Sequence, residues 1–111
     1  MWGQLAEQKV LVVGLGEVGQ VIFDLLKGSG RFAVYGFDLD ESKMRKTGQT
    51  SLPSGAEVMH ICIPCKRQEE FVNVVVDYAK RFKPKLVIIN STVPPGTTKS
   101  TSKRCACLVA H

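Results

Sequence analysis

The sequence predicts an α/β domain built on a doubly wound parallel sheet, and three observations carry that prediction. Short apolar runs recur at residues 10–13, 32–37, 57–63 and 86–90, as expected of parallel strands buried on both faces. Stretches with helical periodicity separate the first run from the second and the third from the fourth. A glycine turn, Gly14-x-Gly16-x-x-Gly19, joins the first run to the first helix. Strands alternating with helices, joined by right-handed crossovers, give a parallel sheet with helices on both faces.

In chain order, Val10, Leu11, Val12 and Val13 form the first strand. Beyond the turn, Val18, Val21, Ile22, Leu25 and Leu26 follow the i, i+3, i+4, i+7, i+8 spacing of one buried helical face. Gly28 and Gly30 end that helix. Residues 32–37 are the second strand, and Asp40 caps a short charged helix running to Lys46. Residues 47–56 are polar and contain Gly48, Pro53 and Gly55, with a brief edge strand expected at 49–52. The next strand, 57–63, stops at Pro64, which has no N–H for a ladder. A long helix over 69–82 turns Phe71, Val75, Tyr78 and Phe82 inward until Pro84 breaks it. Then come a strand at 86–90, a proline–glycine loop at 91–98, one or two helical turns at 99–104 and an apolar strand at 107–110. A polar lead-in over 1–8 carries Trp2 and Leu5, whose place at the sheet edge the pattern leaves open. Six strands in the order 3-2-1-4-5-6 are the expectation. The 111 residues suffice for one domain, 1–111. Ending on a core strand, the chain reads as the N-terminal piece of something longer.

The glycine turn points to chemistry. Gly14 makes the tight turn, Gly16 lets a pyrophosphate approach the backbone, and Gly19 lets the helix pack on the strand. The helix N-terminus offers unpaired N–H groups and a positive dipole end to the anion. Asp38 ends the second strand about twenty residues beyond Gly19, where an acid accepts hydrogen bonds from the adenosine ribose. Together these predict a dinucleotide-binding, Rossmann-type fold. Asp38 repels a 2′-phosphate, and Leu39 and Asp40 supply no arginine to receive one, so NAD is expected over NADP. Ligands of such sheets sit at the carboxyl ends of the strands, which gathers residues 14–19, 38–43, 63–65 and 91–96 around one cleft.

At residues 90–98, NSTVPPGTT, the sequence resembles the UDP-glucose/GDP-mannose dehydrogenases, and VVGLGEVG, FDLDESK and ICIP at 61–64 support the likeness. It covers nearly the whole chain from Lys9. The resemblance implies an NAD-dependent oxidation of a CH–OH group, the C6 alcohol of a nucleotide sugar. It implies that Gly14, Gly16 and the backbone of Leu15, Glu17 and Val18 face the pyrophosphate. Asp38 and Lys43, with Leu39, would hold the adenosine ribose, and Ile63, Pro64 and Cys65 would line the cofactor cleft. Ser91 and Thr92 would stand near the nicotinamide, Thr92 orienting a water or a substrate oxygen in an assisting role. Two departures are visible: Cys65 stands where a threonine is usual, and the segment between Asp38 and Glu57 is short. The family's nucleophilic cysteine, lysine and sugar-binding domain lie downstream of this region and match nothing here. This chain alone is therefore expected to be inactive, and a homodimer is expected of the full-length protein. Two other readings share the cofactor site: a hydroxy-acid or prephenate dehydrogenase, and a non-catalytic NAD-sensing regulatory domain. The hydroxyl-bearing loop at 91–98 speaks against a pure sensor.

Other constellations carry less. Cys62, Cys65, Cys105 and Cys107 give C-x-x-C and C-x-C, but the second spacing is wrong for a zinc ribbon and Cys62 lies in a core strand. Free thiols in a reducing cytoplasm are the simpler reading, with no metal. His60 reads as a satisfied core imidazole or an edge residue. The net charge of +5 comes from scattered basic residues without interleaved aromatics, which argues against a nucleic-acid partner and for a small anionic ligand. No apolar stretch approaches the ~18 residues of a membrane span.

Overall fold

The computed structural model describes residues 7–111, so Trp2 and Leu5 lie outside the described residues. Strand β1 (Lys9–Val13) leads through the glycine turn into helix α1 (Glu17–Ser29), then β2 (Ala33–Phe37) and the short α2 (Glu41–Lys46). Strand β3 (Val58–Ile61), α3 (Gln68–Phe82), β4 (Leu86–Ile89), α4 (Thr97–Arg104) and β5 (Leu108–Ala110) follow. The five strands form one all-parallel sheet in the order β2-β1-β3-β4-β5.

Both faces are covered. Leu11 and Val13 enter a core shared with Met59, Ile61 and the α3 residues Phe71, Val75 and Phe82. Val12 enters a second core with Leu15 and the α1 residue Phe23. This is why β1 reads as an unbroken apolar run, since alternate side chains serve opposite cores. Each fully buried side chain of this kind contributes roughly 1.5–3 kcal/mol. Helix α1 ends at Gly30, in the left-handed region at φ 69°. Asp40 caps α2 by accepting from the Ser42 N–H, and Ser42 holds its carboxyl below the usual range. Helix α3 ends at Lys83, which takes the left-handed conformation at φ 49° just before Pro84.

The structure corrects the expected strand order 3-2-1-4-5-6. That order needs a strand at 49–52, and none forms there. Gly48 turns the chain at φ 72°, and the Gln49 carboxamide then takes the place of a neighbouring strand. Its Oε1 accepts from the Gly36 N–H at 2.9 Å, and its Nε2 donates to the Gly36 carbonyl at 2.7 Å. One side chain thus pairs with both backbone groups of Gly36 on the outer edge of β2, where a neighbouring strand would bond.

The buried face of α1 also differs from the expected stripe. Gly19 and Phe23 are buried, Ile22 and Leu26 pack at the margin, while Val18, Val21 and Leu25 are 56%, 57% and 69% exposed. The last helix runs Thr97–Arg104, beginning two residues before the turns expected at 99–104. No helix among the described residues is long and apolar enough to cross a membrane.

Replacing Gln49 with Ala strips Gly36 of its two side-chain hydrogen bonds. A loss of about 1 kcal/mol is expected, for a hydrogen-bond pair partly replaced by water. In urea unfolding it appears as a lower midpoint at unchanged slope.

Candidate functional site

Strand β1 connects to β2 on one side and has β3 as its neighbour on the other. The chain reverses direction across the sheet at β1/β3, and ligand crevices of open parallel sheets form at the carboxyl ends beside such a point. The ladder continues past the strand ends here. Gly14 N–H donates to the Phe37 carbonyl, Cys62 N–H to that of Val13 and Asn90 N–H to that of Ile61, each at 2.8 Å. The loops after β1, β3 and β4 therefore leave the sheet from fixed positions.

The three glycines have three distinct surroundings. Gly14 sits at φ 91°, and a Cβ there would lie 2.8 Å from the Cys62 carbonyl group. A Cβ on Gly19 would lie 1.7 Å from the Gly14 carbonyl oxygen, so α1 touches the turn through backbone alone. A Cβ on Gly16 would meet nothing within 4 Å, because this position faces open space. Among the described residues, the N–H groups of Gly16, Glu17 and Val18 have no partner within the chain, and they stand at the positive end of α1.

Asp38 is tied to this turn. Its Oδ2 accepts from the Leu15 N–H at 2.8 Å, and its Oδ1 accepts from the Asp40 N–H at 2.8 Å. The carboxylate is thereby held in one orientation, with acceptor capacity left on both oxygens. The Leu15 N–H, expected to face a pyrophosphate, is spent on Asp38, and the Leu15 side chain is in the core. Gly19 likewise serves packing and not contact.

Two cavities adjoin this turn. One, of about 520 Å³, is lined by Gly14, Gly16, Asp38, Leu39 and Lys43 and by Phe37, Val74 and Tyr78. The other, of about 600 Å³, is lined by Gly16, Glu17, Val18, Cys65, Asn90, Ser91 and Thr92. Gly16, Cys62, Ile63 and Pro64 belong to both. The crevice is therefore one bipartite cleft with its waist at Gly16, each lobe in the ~300–1,000 Å³ range of ligand clefts. Leu39, 84% exposed, stands at the rim of the first lobe.

Comparison with protein-family models and with curated proteins found no match.

Every expected site residue except the two packing residues, Leu15 and Gly19, borders this cleft. Ser91 is present with its hydroxyl engaged, donating to the Ile63 carbonyl and pinning the two loops together. Thr92 is exposed in the second lobe. The sequence reading missed Val74 and Tyr78. Tyr78 packs edge-on against Phe37 with ring centroids 5.6 Å apart. Burial raises its hydroxyl pKa, Arg81 opposes that, and the Asp38 charge adds to it. Tyr78 was expected on the inward stripe with Phe71, Val75 and Phe82 but is only partly buried and lines the cleft, with Val74 one turn before it at i−4. It also missed what steadies the 91–98 loop. Gly96 adopts φ 88°, and buried Thr97 donates to the Pro94 carbonyl while accepting from Gln68 Nε2 at 2.9 Å. His60, half-buried, pairs its Nδ1 with the Asn90 side chain at 2.9 Å.

Cys62 lies at the waist, and burial pushes its thiol up to about 11 from 9.0. Well below both values, that shift means about 100-fold less thiolate than in the unfolded chain. At pH 8 iodoacetamide should therefore label native Cys62 slower by about this factor than urea-unfolded Cys62, read by peptide mass mapping. Gly19→Ala should lower the unfolding free energy by at least about 2 kcal/mol, whereas Gly16→Ala should cost a few tenths to about 1. Equal destabilisation in denaturant melts would contradict the glycine assignments.

Proposed function

We propose that the chain is the NAD-binding part of an oxidoreductase acting on a CH–OH group, with the C6 alcohol of a nucleotide sugar as substrate. The observation that carries the cofactor is the waist at Gly16. There, unpaired N–H groups at a helix N-terminus adjoin a position with no atom within 4 Å of an added Cβ, which suits a diphosphate. The lobes on either side suit the two halves of a dinucleotide. Asp38 and Lys43 take the adenosine ribose, with Tyr78 and Phe37 as an apolar wall for the base. The nicotinamide half lies in the lobe of Ser91 and Thr92.

NAD supplies hydride acceptance when bound. The chain's own contribution is orientation. The Gly16, Glu17 and Val18 amides hold the diphosphate, and Asp38, fixed by two backbone N–H groups, sets the ribose. Thr92 presents a hydroxyl that orients a water or a substrate oxygen. Substrate choice rests on the resemblance of NSTVPPGTT and ICIP to the UDP-glucose/GDP-mannose dehydrogenases. The nucleophile and base of that chemistry match no residue of this chain, so binding without turnover is the expected behaviour of residues 1–111.

Calorimetric titration tests the cofactor. NAD should bind and NADP should bind at least about tenfold more weakly, since the locked Asp38 carboxylate cannot turn away from a 2′-phosphate. Gly16→Val should abolish NAD binding in a chain whose circular dichroism is unchanged, because the side chain fills the diphosphate space. NADP binding equal to NAD, or NAD binding by the folded Gly16→Val variant, refutes the reading.

A further inference from the structure

We propose that the sheet face over β3, β4 and β5 on the α1 side is a docking surface for a second copy of this chain, which covers it with its own helix α1 in a two-fold dimer. The proposal does not rest on the cofactor reading, whose crevice lies at the carboxyl ends of the strands.

Parallel sheets are covered by helices on both faces. The α3 face meets this demand, with Met59, Ile61, Val87 and Ile89 buried and Val109 packed beside them. The other face meets it only in part, because α1 packs chiefly against β1 and β2. Register aligns its side chains in two rows, Val10–Val58–Leu86–Leu108 and Val12–His60–Ile88–Ala110. Burial falls along each row with distance from α1. Val10 and Val12 are buried, the β3 and β4 residues are half-buried, and Leu108 and Ala110 are exposed, Leu108 by 74%. Neither core includes Val58, Leu86, Ile88 or Leu108. Among the described residues, β3 to β5 thus present a largely apolar floor. His60, its polar member, is already bonded to Asn90.

Helix α1 walls this floor. Its exposed Val18, Val21 and Leu25 lie within about 60° of one another around the helix axis. Val18 shares a cavity wall with Cys62 and Asn90, just past the ends of β3 and β4. Lys27 is on the opposite flank, with its Nζ 3.4 Å from the Thr47 carbonyl beside α2. The apolar stripe therefore faces the uncovered side of the sheet.

The occupant must be a helix with apolar surface left over after packing on its own sheet. Among the described helices, α1 has three exposed large apolar side chains, and the one other on a helix, Val74, lines the cofactor crevice. Floor and covering helix thus belong to one molecule and adjoin on one face, as an isologous contact requires. A two-fold axis parallel to the strands sets each α1 over β3–β5 of the other copy, in one helical layer shared between two sheets. Such a contact closes on itself, so assembly stops at the dimer. The 13 residues of α1 span about 20 Å, and at a width of about 10 Å each contact face covers roughly 200 Å². Two helical and two sheet faces enter the dimer, which brings the buried area to the order of 1,000 Å², the lower bound of specific interfaces. A reversible dimer with a Kd in the micromolar range follows.

Sedimentation equilibrium of the whole chain, from about 5 to about 300 μM, tests the dimer. Wild type should fit a monomer–dimer equilibrium. Val21→Glu and Leu108→Glu should each weaken it at least about tenfold, because each buries a carboxylate without a partner. Leu39→Glu, at the crevice rim, should leave it unchanged. All three positions are exposed, and circular dichroism checks that each variant is folded. On dilution, amide NMR signals should shift together in α1 and at Val58, Leu86, Ile88 and Leu108, and stay still in α3 and α4. A wild type that is monomeric at the highest concentration, or that assembles without limit, overturns the proposal. So does association that survives in folded Val21→Glu or Leu108→Glu, association lost in Leu39→Glu, or dilution shifts confined to α3, α4 or the crevice.

Discussion

Helix α1 lies so close to the end of β1 that no methyl group fits at position 19. The Gly14 carbonyl oxygen occupies that space, 1.7 Å from where a Cβ would stand. Gly14 is confined in turn by the Cys62 backbone on β3's side and adopts φ 91°. These two backbone contacts lock the first helix, the first strand and the third strand together. They also aim the N-terminus of α1, so its free amides and positive dipole end open into the crevice. Only glycine meets both demands.

The second tie is electrostatic. Asp38 joins the end of β2 to the glycine turn through Leu15 and to its own following loop through Asp40. A charged acceptor on two N–H donors forms stronger hydrogen bonds than a neutral one, so the acid is set in place by the fold itself. One lobe of the cleft is thus built around an oriented carboxylate, and the other around a loop pinned by the Ser91, Thr97 and Gln68 side chains. The waist between them is bare backbone.

Much of this was legible in the sequence because the chemistry is local. The apolar run of β1, the three glycines, the acid after β2 and the Asp40 cap each state a backbone requirement within a few residues. Periodicity misled on α1 for a physical reason. A glycine at a helix–strand contact has no hydrophobicity to register, so the Gly19–Phe23 face was invisible, and of the expected stripe only Ile22 and Leu26 pack inward while Val18, Val21 and Leu25 are exposed. The missing edge strand is a similar case. Nothing in the polar stretch around Gln49 signals that a carboxamide will bond the β2 edge at Gly36 in place of a strand, since the match depends on Gly36 being opposite.

The sequence by itself determined the alternation of strands and helices, the glycine turn and the acid beside it, because these follow from conformational preference and short-range spacing. Tertiary structure alone decided the strand order, the wall supplied by Val74 and Tyr78 and the capture of the Leu15 amide by Asp38. Each of these depends on distance between segments remote along the chain, and such distances exist only after the sheet has assembled.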